Sequence, residues 1–228
     1  MTRPLIVAID GPAGAGKSSV SKTLALRLGF TLVDTGAIYR CVALKAQRSG
    51  IAFDDDGGLG HLLAALHIGF TMVEEVNHVL LDGEDVSDAI RTPEISLAAS
   101  RVSSRPVVRD ALLDLQRRLA LQAERGAILE GRDIGTVVFP DADLKVFLFA
   151  DPKVRATRRY EELFQKGVER PVDDVLREQN TRDREDSQRE VAPLKPAADA
   201  VHLDSTHLPL SEVVRQIEAL VRGRSRQA

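Results

Sequence analysis

The run Gly11-Pro-Ala-Gly-Ala-Gly-Lys17-Ser18 constrains this chain more than any other, because the apolar residues 5–9 lead almost directly into it. A buried strand, a tight glycine-rich turn and a helix start are the setting in which Gly-x-x-x-x-Gly-Lys-Ser cradles phosphate. Glycines let backbone N–H groups turn inward at dihedrals that a side chain forbids. Lys17 offers a point charge to β- and γ-phosphates, and Ser18 a hydroxyl to Mg²⁺. Val20, Leu24 and Leu28 then share one helical face, so a helix aims its positive end at the anion. Residues Gly11, Pro12, Ala13, Gly14, Ala15, Gly16, Lys17, Ser18 and Ser19 are therefore expected to bind a nucleoside triphosphate.

The rest of the chain alternates strands and helices. Apolar runs at 5–9, 127–129 and 145–149 read as buried parallel strands, and shorter ones at 31–33 and 200–203 complete a five-stranded sheet. Helical periodicity covers 110–124 and 211–221, and Asp151-Pro152 reads as a cap followed by proline at the first helical position. This order predicts an α/β, right-handed, three-layer architecture around a parallel sheet. One region breaks the rhythm. Short β-like runs at 68–73 and 78–81, then the turn signal Asp82-Gly83, predict a small antiparallel subdomain between the second and third core strands. The stretch 54–58 is expected to be a loop before it, and 223–228 a frayed tail.

Composition narrows the function classes. A chain of 228 residues, 43% hydrophobic and 29% charged, fits one ordinary α/β domain. Its formal net charge of −3 argues against bulk electrostatic binding to nucleic acid or an anionic membrane. The single Cys41 excludes an intramolecular disulfide, and no apolar run approaches the roughly 20 residues that span a bilayer. A cytoplasmic protein is expected. His61, His67, His78, His202 and His207 have no metal-ligand spacing and are expected at loops and surface.

A phosphate loop alone fits kinases, GTPases, ATPases and motors. Further charged motifs fall where open α/β sheets place ligands, at the carboxyl edge. Asp34-Thr-Gly-Ala-Ile-Tyr39-Arg40 follows the second strand and Glu130-Gly-Arg132-Asp133 the third. Arg182, Asp186 and Arg189 are spaced to share one helical face, as are Arg155, Arg158 and Arg159. Each set alone could be a solvated face or a surface ion pair contributing under about 1 kcal/mol. Together they point to a second anionic ligand opposite the triphosphate. The guanine-reading Asn-Lys-x-Asp is absent, as is any Gly-x-Ser-x-Gly.

Five stretches together resemble the bacterial cytidylate kinases, within the nucleoside monophosphate (NMP) kinases. They are 9–18, 34–40, 129–140 (Leu-Glu-Gly-Arg-Asp-Ile-Gly-Thr-Val-Val-Phe-Pro), 182–189 and Ala192-Pro-Leu194. Adenylate kinases carry an Asp-Gly-Phe-Pro-Arg type element after the third strand, from which Gly131-Arg132-Asp133 departs. The resemblance implies a P-loop kinase fold over the whole chain, with an NMP-binding insert at 36–105 and a short lid at 152–168. It implies transfer of the ATP γ-phosphoryl group to CMP or dCMP with Mg²⁺ held at Ser18, by a monomer without nucleic acid or membrane. Arg40, Arg132 and Arg189 would hold the acceptor phosphate. Ser100, Arg109 and Asp133 would read cytosine. Arg182 and Asp186 would meet the sugar, and Asp34, Thr35 and Tyr39 would lie nearby. Lys17, Arg132, Arg155, Arg158 and Arg159 would act on the transferring phosphate. Ile38 and Ser18-Ser19 differ from the commonest family residues without removing a needed group. The alternatives are a kinase for UMP, dTMP or another small molecule, and a nucleotide-dependent switch or motor.

Overall fold

The computed structural model describes residues 3–73, 76–165 and 167–224. These form two compact units, one comprising Met1–Leu32 and Ala120–Ala228, the other Val33–Leu119.

The first unit is built on strands β1 (Leu5–Asp10), β2 (Thr31–Asp34), β6 (Gly126–Gly131), β7 (Leu144–Phe149) and β8 (Val201–Asp204), ordered β2-β6-β1-β7-β8. The last two residues of β2 begin the second unit. β1 pairs in parallel with both β6 and β7, so both its edges are hydrogen-bonded and Ile6, Val7, Ala8 and Ile9 are fully buried. That is why the run reads as continuously apolar rather than alternating. Helices α1 (Lys17–Leu28) and α8 (Leu210–Arg224) pack on the face that Val7 and Ile9 present, through Val20 and Leu24 of one and Val214, Ile217 and Val221 of the other. Helix α6 (Pro152–Gln165) starts where Asp151 accepts hydrogen bonds from Lys153 and Val154 N–H at 2.8 and 3.3 Å. It packs on α7 (Val172–Gln188) through Ala156, Leu163 and Val175.

The second unit carries α2 (Thr35–Arg48), α3 (Asp56–Ala64), α4 (Pro93–Ser103) and α5 (Pro106–Leu121), whose last residues lie in the first unit. Its antiparallel sheet joins β3 (Ile68–Val73), β4 (Val76–Leu81) and β5 (Glu84–Asp85). The turn between the last two holds Asp82 at φ 52° and Gly83 at φ 89°, as the Asp-Gly pair predicts.

Three expectations are corrected. The stretch 54–58 is not a loop throughout: Asp55 caps α3 by accepting from Gly58 N–H at 2.9 Å, and two glycines lie in its first turn. An N-capping carboxylate there outweighs the poor helix propensity of Gly-Gly. Arg189 does not share the helical face of Arg182 and Asp186; it lies just past the end of α7 with extended backbone at ψ 143°. His61, His78 and His202 lie on α3, β4 and β8 rather than on loops. Of the expected tail, Gly223 and Arg224 end α8, and 225–228 lie outside the described residues, as does Lys166 of the expected lid.

Candidate active site

Between β1 and α1 the chain turns through Gly11, Gly14 and Gly16 with φ of 151°, 75° and 91°. At Gly11 no other residue fits, since a Cβ would sit 1.9 Å from the Leu148 carbonyl oxygen on the neighbouring strand. The loop thereby packs on β7 backbone to backbone. Gly16 caps α1, so the first helical residue is Lys17 itself. Lys17 is buried and its Nζ donates to the Pro12 carbonyl at 2.8 Å. Burial first, then the neighbouring Arg132 guanidinium, push its ammonium down to about 7; Arg182 adds to the fall, while Glu130 and Asp10 oppose it. Ser18 donates from Oγ to Glu130 Oε2 at 2.8 Å.

The end of β6 leads into Arg132 and Asp133, then into a single π-helical turn, Ile134–Val138, whose i→i+5 bonds run from Val138 N to Asp133 O and from Phe139 N to Ile134 O. Such turns are rare and are frequently found at functional sites. Asp10, at the end of β1, anchors this one: its carboxylate accepts from Ile134 and Gly135 N–H, both at 2.8 Å. Burial pushes the Asp10 carboxyl up to about 6 against those two bonds; nearby Asp133 adds to the rise and Lys17 opposes it.

Arg132 donates from Nε to Asp186 Oδ2 at 2.8 Å. Arg189 lies 3.8 Å from the other Asp186 oxygen and 3.7 Å from Asp133 Oδ1, and its Nε donates to Ala192 O at 2.6 Å. Burial alone would raise the Asp186 carboxyl, but Arg132, Arg182 and Arg189 hold it below the usual carboxylate range. The structure thus gathers Arg132, Asp133, Arg182, Asp186 and Arg189 in one cluster, with Lys17 feeling two of its guanidiniums. Arg155 donates to Ala13 O, Ala150 O and Asp183, and Arg158 donates to Ser205 Oγ and O. Arg159, more exposed, pairs with Glu162 at 3.0 Å.

In the second unit, Asp34 caps α2 by accepting from Ala37 N–H at 2.8 Å and pairs with Arg40 at 3.1 Å. Arg40 Nε is buried without a hydrogen-bond partner among the described residues. Thr35 is buried on the same first turn. Arg109 stands over the Tyr39 ring at 5.7 Å and donates to Ser103 O at 3.0 Å, while Ser100 is half-buried on α4. Cys41 is buried there, its thiol pushed up to about 12 by desolvation, so it supplies no thiolate.

Sequence reasoning did not find Asp10 or Asp183 as site residues. Asp183 adjoins Arg182 and Asp10 precedes the glycine loop, but an acidic residue beside a motif carries no signal of its own. No group of three or more His, Cys, Asp or Glu suited to a metal occurs among the described residues. None of their helices is long and apolar enough to cross a membrane.

The cytidylate kinase family model matches residues 7–223. A cytidylate kinase of Geobacter sulfurreducens is 55% identical, over 98% of this chain and 95% of that protein. Those of Pasteurella multocida and Azotobacter vinelandii are 48% and 46% identical, over 95% and 97% of this chain and 94% and 97% of theirs.

Proposed function

Since the chain belongs to the cytidylate kinase family, we propose that it transfers the γ-phosphoryl group of ATP to CMP or dCMP, giving CDP or dCDP. The observation that carries this reading is the gathering of Arg132 and Arg189 about Asp186, 2.8 and 3.8 Å away, beside a glycine-rich loop whose Lys17 feels the Arg132 charge as well. Burial lowers the Lys17 ammonium first, and two guanidiniums, Arg132 and Arg182, lower it further. Like charges gathered in a buried place repel, and an anion arriving among them relieves that repulsion.

The chemistry needs no general base, because the acceptor is already an ionised phosphate. The obstacle is the approach of two anions: one pair of unit charges about 4 Å apart repels by roughly 4 kcal/mol at an effective dielectric of 20. Lys17 and the loop amides would hold the donor phosphates, leaving the Pro12 carbonyl that Lys17 now meets. Arg132 and Arg189, oriented by Asp186, would hold the acceptor phosphate together with Arg40. Arg182 and Asp186 would meet the sugar. Asp133, Ser100 and Arg109 would read the base, with Asp34, Thr35 and Tyr39 framing the same ligand. Arg155, Arg158 and Arg159 would reach the phosphates from α6, which with the residues up to 168 would serve as a short lid. Alignment and charge stabilisation then account for catalysis, by in-line transfer without a phosphoenzyme.

Mg²⁺ fits the loop's donor chemistry: a hydroxyl and a carboxylate, Ser18 Oγ and Glu130 Oε2, stand 2.8 Å apart, both hard oxygen ligands. With no larger acidic cluster among the described residues, the ion would be shared with the triphosphate through Ser18. It would neutralise charge on the β- and γ-phosphates. This reading takes the protein to work as a monomer in the cytoplasm, on dissolved nucleotides. Initial rates with ATP and Mg²⁺ across CMP, dCMP, UMP, dTMP and AMP test it. Saturable turnover with CMP and dCMP above the others is expected; turnover favouring another acceptor would displace it.

A further inference from the structure

One residue of the phosphate loop has both its backbone polar groups held by side chains from two other helices. Ala13 N–H donates to Asp183 Oδ1 at 3.2 Å, and Ala13 O accepts from Arg155 Nη1 at 2.8 Å. The same Nη1 donates to Asp183 Oδ2 at 2.6 Å, closing the ring of three residues. Arg155 is fixed in turn by its Nε bond to Ala150 O at 3.0 Å, and its side chain is only 5% exposed. One helical turn before Asp183 on α7, Gln179 lies over the next loop residue. A Cβ at Gly14 would come within 2.7 Å of Gln179 Nε2, and Gly14 has φ 75°. Gln179 is itself buried, and its Oε1 has no hydrogen-bond partner among the described residues. Two α7 side chains at i and i+4 thus face two consecutive loop residues.

We propose that Asp183 is a positioning residue of the donor site: paired with Arg155, it fixes the backbone on both sides of Ala13 and so keeps the glycine-rich loop in its phosphate-binding shape. The physical reason is that a loop with left-handed residues at Gly14 and Gly16 has many accessible alternatives, and glycine restricts none of them. A charge-assisted bond at Ala13 N–H removes that freedom before nucleotide arrives, and Arg155 supplies the countercharge that Asp183 needs when half-buried. Arg155 takes this part in addition to the phosphate contact proposed for it above. The helix that carries Asp183 also carries Arg182 and Asp186, so the loop and the arginine cluster are set from one rigid element.

The proposal rests on the donor-site reading for its kinetic arm and is independent of it for the other. In the nucleotide-free protein, amide exchange at Ala13 is expected to be at least about tenfold faster in Asp183→Ala than in the wild type, the loss of roughly one charge-assisted bond. In steady-state kinetics the KM for ATP should rise about tenfold while the KM for CMP stays within about twofold. Arg155→Gln, which also removes the phosphate contact proposed above, should raise exchange at Ala13 alike and the KM for ATP at least as far, and the double variant should be no worse than the worse single one, within about twofold. Asp183→Asn, which keeps the volume and one acceptor oxygen, is read on the same scales should Asp183→Ala fail to fold, with increases of about threefold. Unchanged exchange at Ala13, or equal rises in both KM values, would overturn the proposal. Loss of protection at Ala13 in a protein that phosphorylates no CMP would leave the anchoring standing and remove only the function.

Discussion

Arg132 and Asp186 meet Nε to Oδ2 at 2.8 Å, although 54 residues separate them in the chain. Because the pairing uses Nε, the guanidinium is held side-on by its carboxylate, and Nη1 donates further to Gly131 O at 3.3 Å. A guanidinium fixed in this way loses little freedom when it takes up a phosphate, which a flexible lysine would not match. The same carboxylate steadies Arg189 from its other oxygen at 3.8 Å.

Replacing Arg132 or Arg189 by methionine should therefore damage use of CMP far more than binding of ATP. Each charge-assisted bond to phosphate contributes roughly 1.5–3 kcal/mol, or about ten- to a hundredfold in acceptor affinity. Separate titrations with ATP and with CMP check this. Weakened ATP binding with intact CMP binding would reverse the assignment of the two sites.

Lys17→Ala should lower phosphoryl transfer by orders of magnitude in a folded protein, because the lost charge faces a phosphate whose charge shifts during transfer. A second consequence follows from its ammonium lying near 7 rather than 10.5. Above that value the nucleotide-free lysine is largely neutral, and the arriving triphosphate favours the charged form. ATP binding at pH 8 should take up close to one proton, and clearly less at pH 6. Calorimetry in buffers of different ionisation heat reads this uptake, which Lys17→Met should abolish.

Asp10 gives the clearest pH signature in stability. Its carboxyl rises from 3.8 unfolded to about 6 folded, so between those values the native state binds more protons than the unfolded one. The native state is favoured below 3.8, and this advantage is lost as pH rises through 6. The difference of about two pKa units corresponds to about 3 kcal/mol. Asp10→Asn removes this titration while breaking one of the two N–H bonds. The variant should thus gain on the wild type in stability as pH rises from 4 to 7. Urea midpoints across that range decide the matter; a gap that stays constant with pH would show that Asp10 does not titrate there.

Base choice rests on Asp133. Cytosine has an amino donor where uracil has a carbonyl acceptor, and a carboxylate can bond only the former. Polar groups left unpaired in a closed site reject the wrong base. CMP and dCMP should exceed UMP by at least about tenfold in kcat/KM, on the order of 1.4 kcal/mol. In Asp133→Ala the CMP:UMP ratio should shrink, chiefly through loss on CMP. A ratio that survives the substitution would place the reading of cytosine elsewhere.

The core strands were legible because burial on both faces writes itself as unbroken Leu, Ile, Val and Ala, and the antiparallel insert because short β-like runs precede Asp82-Gly83, the turn between β4 and β5. The phosphate loop was legible because only glycine meets its dihedrals. What escaped was either a local competition between opposing signals or structure decided over a long separation. The start of α3 depends on a cap that outweighs two glycines, and the exit of Arg189 from α7 on backbone bonds such as Leu194 N to Asp186 O at 2.7 Å. The π-helical turn after Asp133 is fixed by Asp10, a residue 124 and 125 positions away from the amides it binds. A window of residues around Asp133 does not contain Asp10.

The contact between Gly11 and the Leu148 carbonyl has a meaning for anyone wishing to move this loop into another protein. The eight-residue motif is only half of the object; the other half is a carbonyl on an adjacent strand that the motif does not encode. A transplanted loop would need a host sheet whose neighbouring strand ends at the same height. Where that strand is shifted by one residue, the carbonyl at that height points to the strand on its other side, and the graft would have the right letters on the wrong surface.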